Sequence, residues 1–292
     1  MPSTRSGPTS GRLSIAVAIF VPLALAGCVS RGVDSPASPE AAVLAPARIA
    51  EILASPDRSQ ADRTNDLRRK PYEMLSFIAV RPGMVALDLS AGGGYTSELL
   101  ARSVGPTGRV YTQTAPRVAR PGPAEPEGAA APVPVAPASA ALAPRPAPAG
   151  LAARAKNLSA GNLVIVVQPF ENPIPPELAA NRLDLVTLMF NYHDLGHLGV
   201  DRAQMNRAVY AALKPGGLYV IADHSGRPGT GISESGTLHR IEEAFLRAEV
   251  ESAGFRLLAS ADFLRNPGDP RDRNTPDPPQ PKDEFVLKFV KR

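Results

Sequence analysis

Asp88-Leu89-Ser90-Ala91-Gly92-Gly93-Gly94-Tyr95 is the stretch that decides how this chain folds. An apolar run, Met84–Leu89, leads into it, and Ser97–Val104 behind it has the spacing of a helix. Glycines let a backbone come close to a ligand, and a helix start presents unpaired N–H groups. In an open parallel sheet the carboxyl end of the first strand is where nucleotide-like ligands dock. A tight turn that merely feeds a helix has the same look, so the turn alone does not settle function. A dinucleotide fingerprint needs glycines at its first, third and sixth positions, yet counting from Gly92 the sixth is Ser97. The acid expected about 20 residues on is replaced by Gln113. That excludes NAD.

The segments on either side alternate between strand and helix. Pro71 opens a helix predicted to run to Ala79, since proline is tolerated in a first turn. Arg109–Thr112, Leu163–Val167, Leu185–Phe190 and Leu218–Ala222 read as further strands, and Phe285–Val290 as the last. Asp201 is placed to cap a helix with Met205, Val209 and Ala212 on one face, stopped by Lys214-Pro215-Gly216-Gly217. Another helix carries Ile241, Phe245 and Ala248 on its predicted apolar side. Strands alternating with helices imply a doubly wound α/β fold with a mostly parallel sheet.

The glycine turn resembles motif I of class I S-adenosylmethionine-dependent methyltransferases, an acid followed by alternate small residues. Leu183-Asp184-Leu185-Val186 is similar to the phrase that opens the fourth strand in that family, and Ala212–Val220, with its Lys-Pro-Gly-Gly, to the turn before its fifth. More narrowly, Asn191-Tyr192-His193-Asp194, Asp223-His224, Leu238-His239-Arg240 and Ala253-Gly254-Phe255 resemble a group of bacterial methyltransferases of undetermined substrate. The resemblance implies a Rossmann-like sheet of order 3-2-1-4-5-7-6 with its last strand antiparallel. It implies S-adenosylmethionine as cofactor, held by Asp88 at the methionine ammonium, by Ser90, Gly92 and Gly94 of the turn, and by Gln113, Gln168 and Asn191. In that implied sheet Asn191-Tyr192-His193-Asp194 follow the fourth strand and Asp223-His224 the fifth, on the same edge as the glycine turn. Topology therefore places any chemistry on His193, Asp194 and His224, with His193 as the base unless it and Asp194 merely cap the turn. Residues 225–238, with four glycines and Pro228, read as a lid carrying His239.

The chain departs from the family at three points. Ser90 stands where glycine is usual, so the turn is less free. The ribose hydroxyls are usually held by an acid ending the second strand, where Gln113 offers only a neutral amide. The third strand commonly ends in an acid facing the adenine, where Gln168 is the nearest match and Glu171 the next.

The N-terminus reads as an address. Residues 1–12 hold Arg5 and Arg12 and no acid, and the apolar stretch Leu13–Ala26 follows. Its 14 residues would rise about 21 Å as a helix, short of the roughly 30 Å of a bilayer core. It ends Leu25-Ala26-Gly27-Cys28, which resembles the lipobox of bacterial lipoproteins, and Cys28 is the only cysteine of the 292 residues. The expected organisation is therefore a signal peptide at 1–27, lipidation at Cys28, a flexible tether at 28–56 and the domain at 57–292. Within that domain Ala115–Gly150, with 10 prolines and 13 alanines, reads as a disordered insertion. Val29 after the cysteine favours the outer membrane over the inner. The lipid would be the only membrane contact.

One cysteine excludes a disulfide framework and a cysteine metal cluster. The isoelectric point of about 9.4 rests on a formal charge of only +4, with no basic run, so nucleic acid is not an expected partner. Three functions remain open. The first is methyl transfer to an unidentified small molecule. The second is an exported, non-catalytic lipoprotein that binds another small molecule in the same crevice, a reading favoured by the cytoplasmic origin of S-adenosylmethionine. The third, a metal-dependent hydrolase, is weak because His193, His197, His224 and His239 match no compact ligand spacing, and no metal is expected.

Overall fold

The structure, a computed structural model, describes residues 42–116, 149–158, 160–274 and 281–292. Seven strands form one sheet: β1 Val85–Leu89, β2 Arg109–Thr114, β3 Leu163–Val167, β4 Leu183–Met189, β5 Leu213–His224, β6 Phe255–Ala261 and β7 Glu284–Lys291. Their order is β3-β2-β1-β4-β5-β7-β6, with β7 antiparallel to both neighbours and the other pairings parallel. This is the predicted fold.

The inner strands are apolar on both faces because both are covered. Along β5, Val220 and Ala222 face one core while Tyr219 and Ile221 face the other. On β7 the split is Val286 against Phe285, Leu287 and Phe289. This period of two is what a strand buried on both sides requires. One face is covered by helices α1 Pro46–Ala54, α3 Pro71–Ile78 and α4 Tyr95–Val104. The other is covered by α7 Arg202–Ala212 and α8 Glu243–Ser252, the single turn α6 Asp194–His197 preceding α7. Asp201 caps α7, its carboxylate accepting from the Gln204 N–H at 2.8 Å.

Several boundaries differ from expectation. The tether does not reach residue 56, because α1 buries Ile49 and Ile52 in the core and Leu44 N–H bonds the Val80 carbonyl at 3.1 Å. The helix α2 Gln60–Arg69, which was not predicted, has no apolar stripe and buries only Asp62. Ion pairs hold it instead, Arg58 to Asp66 at 2.7 Å and Arg154 to Asp62 at 2.6 Å. The strand β6 also escaped prediction. On α8 the buried pair is Leu246 and Val250, while Ala248 is exposed. Leu183 pairs with Leu213 and Leu185 with Leu218, so Lys214–Gly217 bulge out of β5 instead of preceding it.

Residues 1–27 and Cys28 lie outside the described residues, as does the insertion from 117 to 148. Its predicted end is corrected, since Ala149 and Gly150 open helix α5 Ala149–Asn157. Among the described residues no helix is long and apolar enough to cross a membrane.

Candidate functional site

The strand order reverses between β1 and β4, and the carboxyl ends of these two strands open on a crevice of about 320 Å³. That is the usual ligand position in such sheets, at a size ordinary for small molecules. Its floor is the glycine turn. A Cβ added at Gly92 or Gly93 would meet nothing within 4 Å, so protein packing does not fill the space over the turn. The start of α4 behind it, at Gly94, carries no side-chain cap. Three non-glycine residues on this edge hold left-handed backbone, Ser90 (φ 53°), Phe190 (φ 59°) and His239 (φ 53°). Each such residue costs about 1–2 kcal/mol, strain of a kind that collects at functional sites.

Asp88 does not face the crevice freely. It is 1% exposed, and its carboxylate accepts from Ser97 Oγ at 2.6 Å and Thr187 Oγ1 at 2.7 Å. Burial pushes its pKa up to about 6, against the pull of those two hydroxyls and of Arg69.

Gln113 is likewise committed to the protein. Its Oε1 accepts from the Ser90 N–H at 2.9 Å, and its Nε2 donates to the Gln168 carbonyl at 2.6 Å. With no exposure, it cannot hold a ribose from the crevice, which corrects the expected role. Gln168 takes part through its backbone, and the crevice wall does not include it. Gly94 is a packing residue, since a Cβ there would come within 2.6 Å of Leu151 on α5. Asn191 does line the crevice, linking the turn to the histidines by accepting from Ser90 Oγ and donating to Asp194 Oδ2 at 2.8 Å.

Two arginines at the crevice went unpredicted. Arg154 of α5 donates to the Gly93 carbonyl at 2.6 Å and pairs with Asp62, latching α5 and α2 onto the turn. Arg69 has no ion pair among the described residues. Its guanidinium lies 4.4 Å from the Phe190 ring centre and 5.6 Å from that of Tyr95, and its buried Nε has no hydrogen-bond partner. Burial lowers its pKa to about 10, helped by Arg68. Lys-Pro or Gly-rich signals flag loops, but a lone arginine on a polar helix gave no such signal.

His193 follows β4 and His224 ends β5, as the topology predicted. His193 Nδ1 lies 2.6 Å from Asp223 Oδ1 and its Nε2 3.0 Å from Asp194 Oδ1. Burial lowers its pKa, but hydrogen bonds to Asp194 and Asp223 outweigh that and raise it to about 9. An imidazole holding its proton at neutral pH, with both nitrogens occupied, is not a base, and the expectation for His193 is corrected. His239 reaches the same carboxylate, with Nδ1 2.8 Å from Asp194 Oδ1.

His224 faces elsewhere. Its ring lies against Phe190, at 5.7 Å between centres, and borders a second cavity of about 830 Å³ with Arg68, Lys70, Arg265, Lys282 and Glu284. Its Nδ1 is 3.0 Å from Glu284 Oε1 but out of line for a hydrogen bond. Burial lowers the His224 pKa to about 3 and raises that of Glu284 to about 7, the latter opposed by Arg68. Phe190 lines the crevice, and its ring lies against His224, which borders the second cavity.

No family model and no curated protein matches the chain. Solved structures do. A SAM-dependent methyltransferase from Aquifex aeolicus is 17% identical, with a TM-score of 0.51 over 85% of this chain and all of that one. A complex between the Haloferax volcanii Trm112 methyltransferase activator and a methyltransferase gives 15% identity and a TM-score of 0.50, over 84% of this chain and 97% of that one. At such identities the likeness speaks for the fold, and the fold is the one these proteins share.

Proposed function

We propose that the crevice binds S-adenosylmethionine and that the protein transfers its methyl group to a small anionic acceptor seated in the neighbouring basic cavity. The observation that supports this most is the glycine turn, left open by the protein's own packing at the point where strand order reverses. The unpartnered Arg69 guanidinium suits the carboxylate of the methionine end. Asp88 acts from behind the turn as a buried charge. The ribose meets neutral groups, and the missing charge-assisted bond costs about 1 kcal/mol, several-fold in affinity.

The cofactor supplies an activated methyl, and in-line displacement asks the protein mainly to align the nucleophile and exclude water. In the second cavity Arg68 pairs with Glu284 and Arg265 with Glu243 and Asp283, which leaves Lys70 and Lys282 as the positive charge that favours an anion. Glu284, on that wall beside His224, is the group placed to take a proton from the acceptor. His193 and Asp194 position the edge of the sheet.

The test is transfer of labelled methyl by the full-length protein to hydroxylated and amine acceptors, each with and without a carboxylate or phosphate. Label should pass to an anionic acceptor, and Glu284→Gln should cut turnover about 10²-fold, the scale of a lost base, while cofactor affinity holds. Cofactor binding without transfer to any acceptor would favour the second reading, a binding protein, which the sequestered Asp88 and Gln113 support.

Cys28 is proposed to carry lipid after cleavage of residues 1–27, placing the domain on the periplasmic side of the envelope, at the outer membrane. Cys28→Ala should then accumulate as an unprocessed precursor. A wild-type protein found with Met1 intact and no lipid would contradict export and would remove the problem of cofactor supply.

A further inference from the structure

The chain has four histidines, and all four are drawn into one cluster. Ring centres run His224 to His193 at 5.2 Å, His193 to His239 at 5.7 Å and His239 to His197 at 5.7 Å. We propose that His193 Nε2, Asp194 Oδ1 and His239 Nδ1 form a binding site for one divalent transition-metal ion of the Zn²⁺ or Co²⁺ type. These ligand atoms lie within 4.8 Å of one another, with Asp194 Oδ1 3.0 Å from one imidazole nitrogen and 2.8 Å from the other. Metal–nitrogen and metal–oxygen bonds of about 2.1 Å set neighbouring ligands roughly 3.0–3.4 Å apart, so small ring rotations admit the ion.

Each inner ligand has the outer partner a metal site needs. Asp223 is fully buried and accepts from the backbone N–H groups of His193 and His224, which fixes its carboxylate against His193 Nδ1. That contact keeps a ring proton on Nδ1, and a bound ion would take the place of the proton that Nε2 shares with Asp194, the arrangement by which outer carboxylates orient metal-binding imidazoles. Asn191 Nδ2 holds Asp194 Oδ2 and so presents Oδ1 to the two histidines. His239 is delivered by a strained backbone, φ 53°, that a β-bridge between Ser225 and Ile241 holds in place. Two imidazoles with one carboxylate suit borderline divalent ions, and they leave coordination positions for water or an oxygen ligand. Entry is open, because the Asp194 and His239 side chains are 24% and 38% exposed above the buried His193.

Sequence spacing hid the site, since His239 comes 45 residues after Asp194 and joins it only through the fold. Through Asn191 the ion would stand one side chain from the glycine turn. The inference does not depend on the identity of the cofactor, and its test uses the metal alone.

The full-length protein, made without a histidine tag and stripped with EDTA, is titrated with Co²⁺ and with Zn²⁺. The expected result is one ion per chain, visible d–d bands with Co²⁺, and a raised Tm. Asp194→Asn and His239→Ala should abolish stoichiometric binding, and Asp223→Asn should weaken it about 10- to 100-fold, the usual effect of removing an outer partner. If those variants do not fold, NMR of the wild type decides: Co²⁺ should shift the ring resonances of His193 and His239 most. Failure of the wild type to bind a stoichiometric ion would overturn the proposal. So would binding that persists unchanged in His239→Ala, or ring shifts that leave His193 and His239 unaffected.

Discussion

The side chain of Gln113 accepts a hydrogen bond from the backbone N–H of Ser90 at 2.9 Å, tying the end of β2 to the first residue of the glycine turn. A ligand-binding role and this role exclude each other, because the same amide also donates to the Gln168 carbonyl. Gln113→Ala should leave a half-buried N–H and carbonyl without their partners, at about 1 kcal/mol of stability. Gln113→Glu, which puts a carboxylate at the end of β2, should not tighten S-adenosylmethionine binding, since a carboxylate cannot donate to Gln168. Calorimetry and denaturant melts of both variants check this, and a tighter-binding Glu variant would show that the side chain is free to turn into the crevice.

Asp88 gives stability an unusual pH dependence. Its folded pKa of about 6 lies above the ordinary value of 3.8, so between those limits the folded state binds more protons than the unfolded one. Its contribution therefore declines as pH rises through about 4 to 6 and is level above that. Two units correspond to about 3 kcal/mol. Asp88→Asn should remove the slope and raise stability at neutral pH by up to that amount, while weakening binding of the cationic cofactor. Melts from pH 4 to pH 7 read it, and a variant less stable than wild type at pH 7 would contradict it.

The two glycines at the ends of the turn should separate packing from binding. Gly94→Ala forces a Cβ to 2.6 Å from Leu151 and adds left-handed strain at φ 83°, so it should destabilise by about 2–5 kcal/mol. Gly92→Ala meets no atom within 4 Å, so it should cost only about the 1–2 kcal/mol of its left-handed backbone while cutting ligand affinity. An unchanged ligand affinity in Gly92→Ala would mean that the space over Gly92 is not the ligand's.

How much of this was legible in the sequence follows from the range of the interactions. The β-branched run Leu163–Val167 and the cap at Asp201 are local, and both stand where they were read. The helix α2, Gln-Ala-Asp-Arg-Thr-Asn-Asp-Leu-Arg-Arg, shows no apolar period because its partners are charges on residues as distant as Arg154. The same limit applies at the site. Asp88, Ser90 and Asn191 could be placed at the crevice from topology, but the engagement of Gln113 with Gln168 and the meeting of His239 with Asp194 arise only from tertiary packing.

Removal of residues 117–148, joined by a short Gly/Ser link, should leave the cooperative melt nearly unchanged. Lengthening a flexible loop costs only about 0.6 kcal/mol per doubling, so the insertion carries little stability either way. The cut must stop before Ala149, since α5 supplies Leu151 and Arg154 to the glycine turn. A Tm lowered by more than a few degrees would show that the segment packs on the domain.

Calorimetric titration of S-adenosylmethionine into the full-length protein tests the central claim most directly, with Arg69→Gln measured beside the wild type. One site per chain, with a dissociation constant at or below about 0.1 mM, is predicted, together with competition by S-adenosylhomocysteine and at least a tenfold weakening in Arg69→Gln, about 1.4 kcal/mol. No binding heat at millimolar cofactor, or an affinity indifferent to Arg69, would contradict the account.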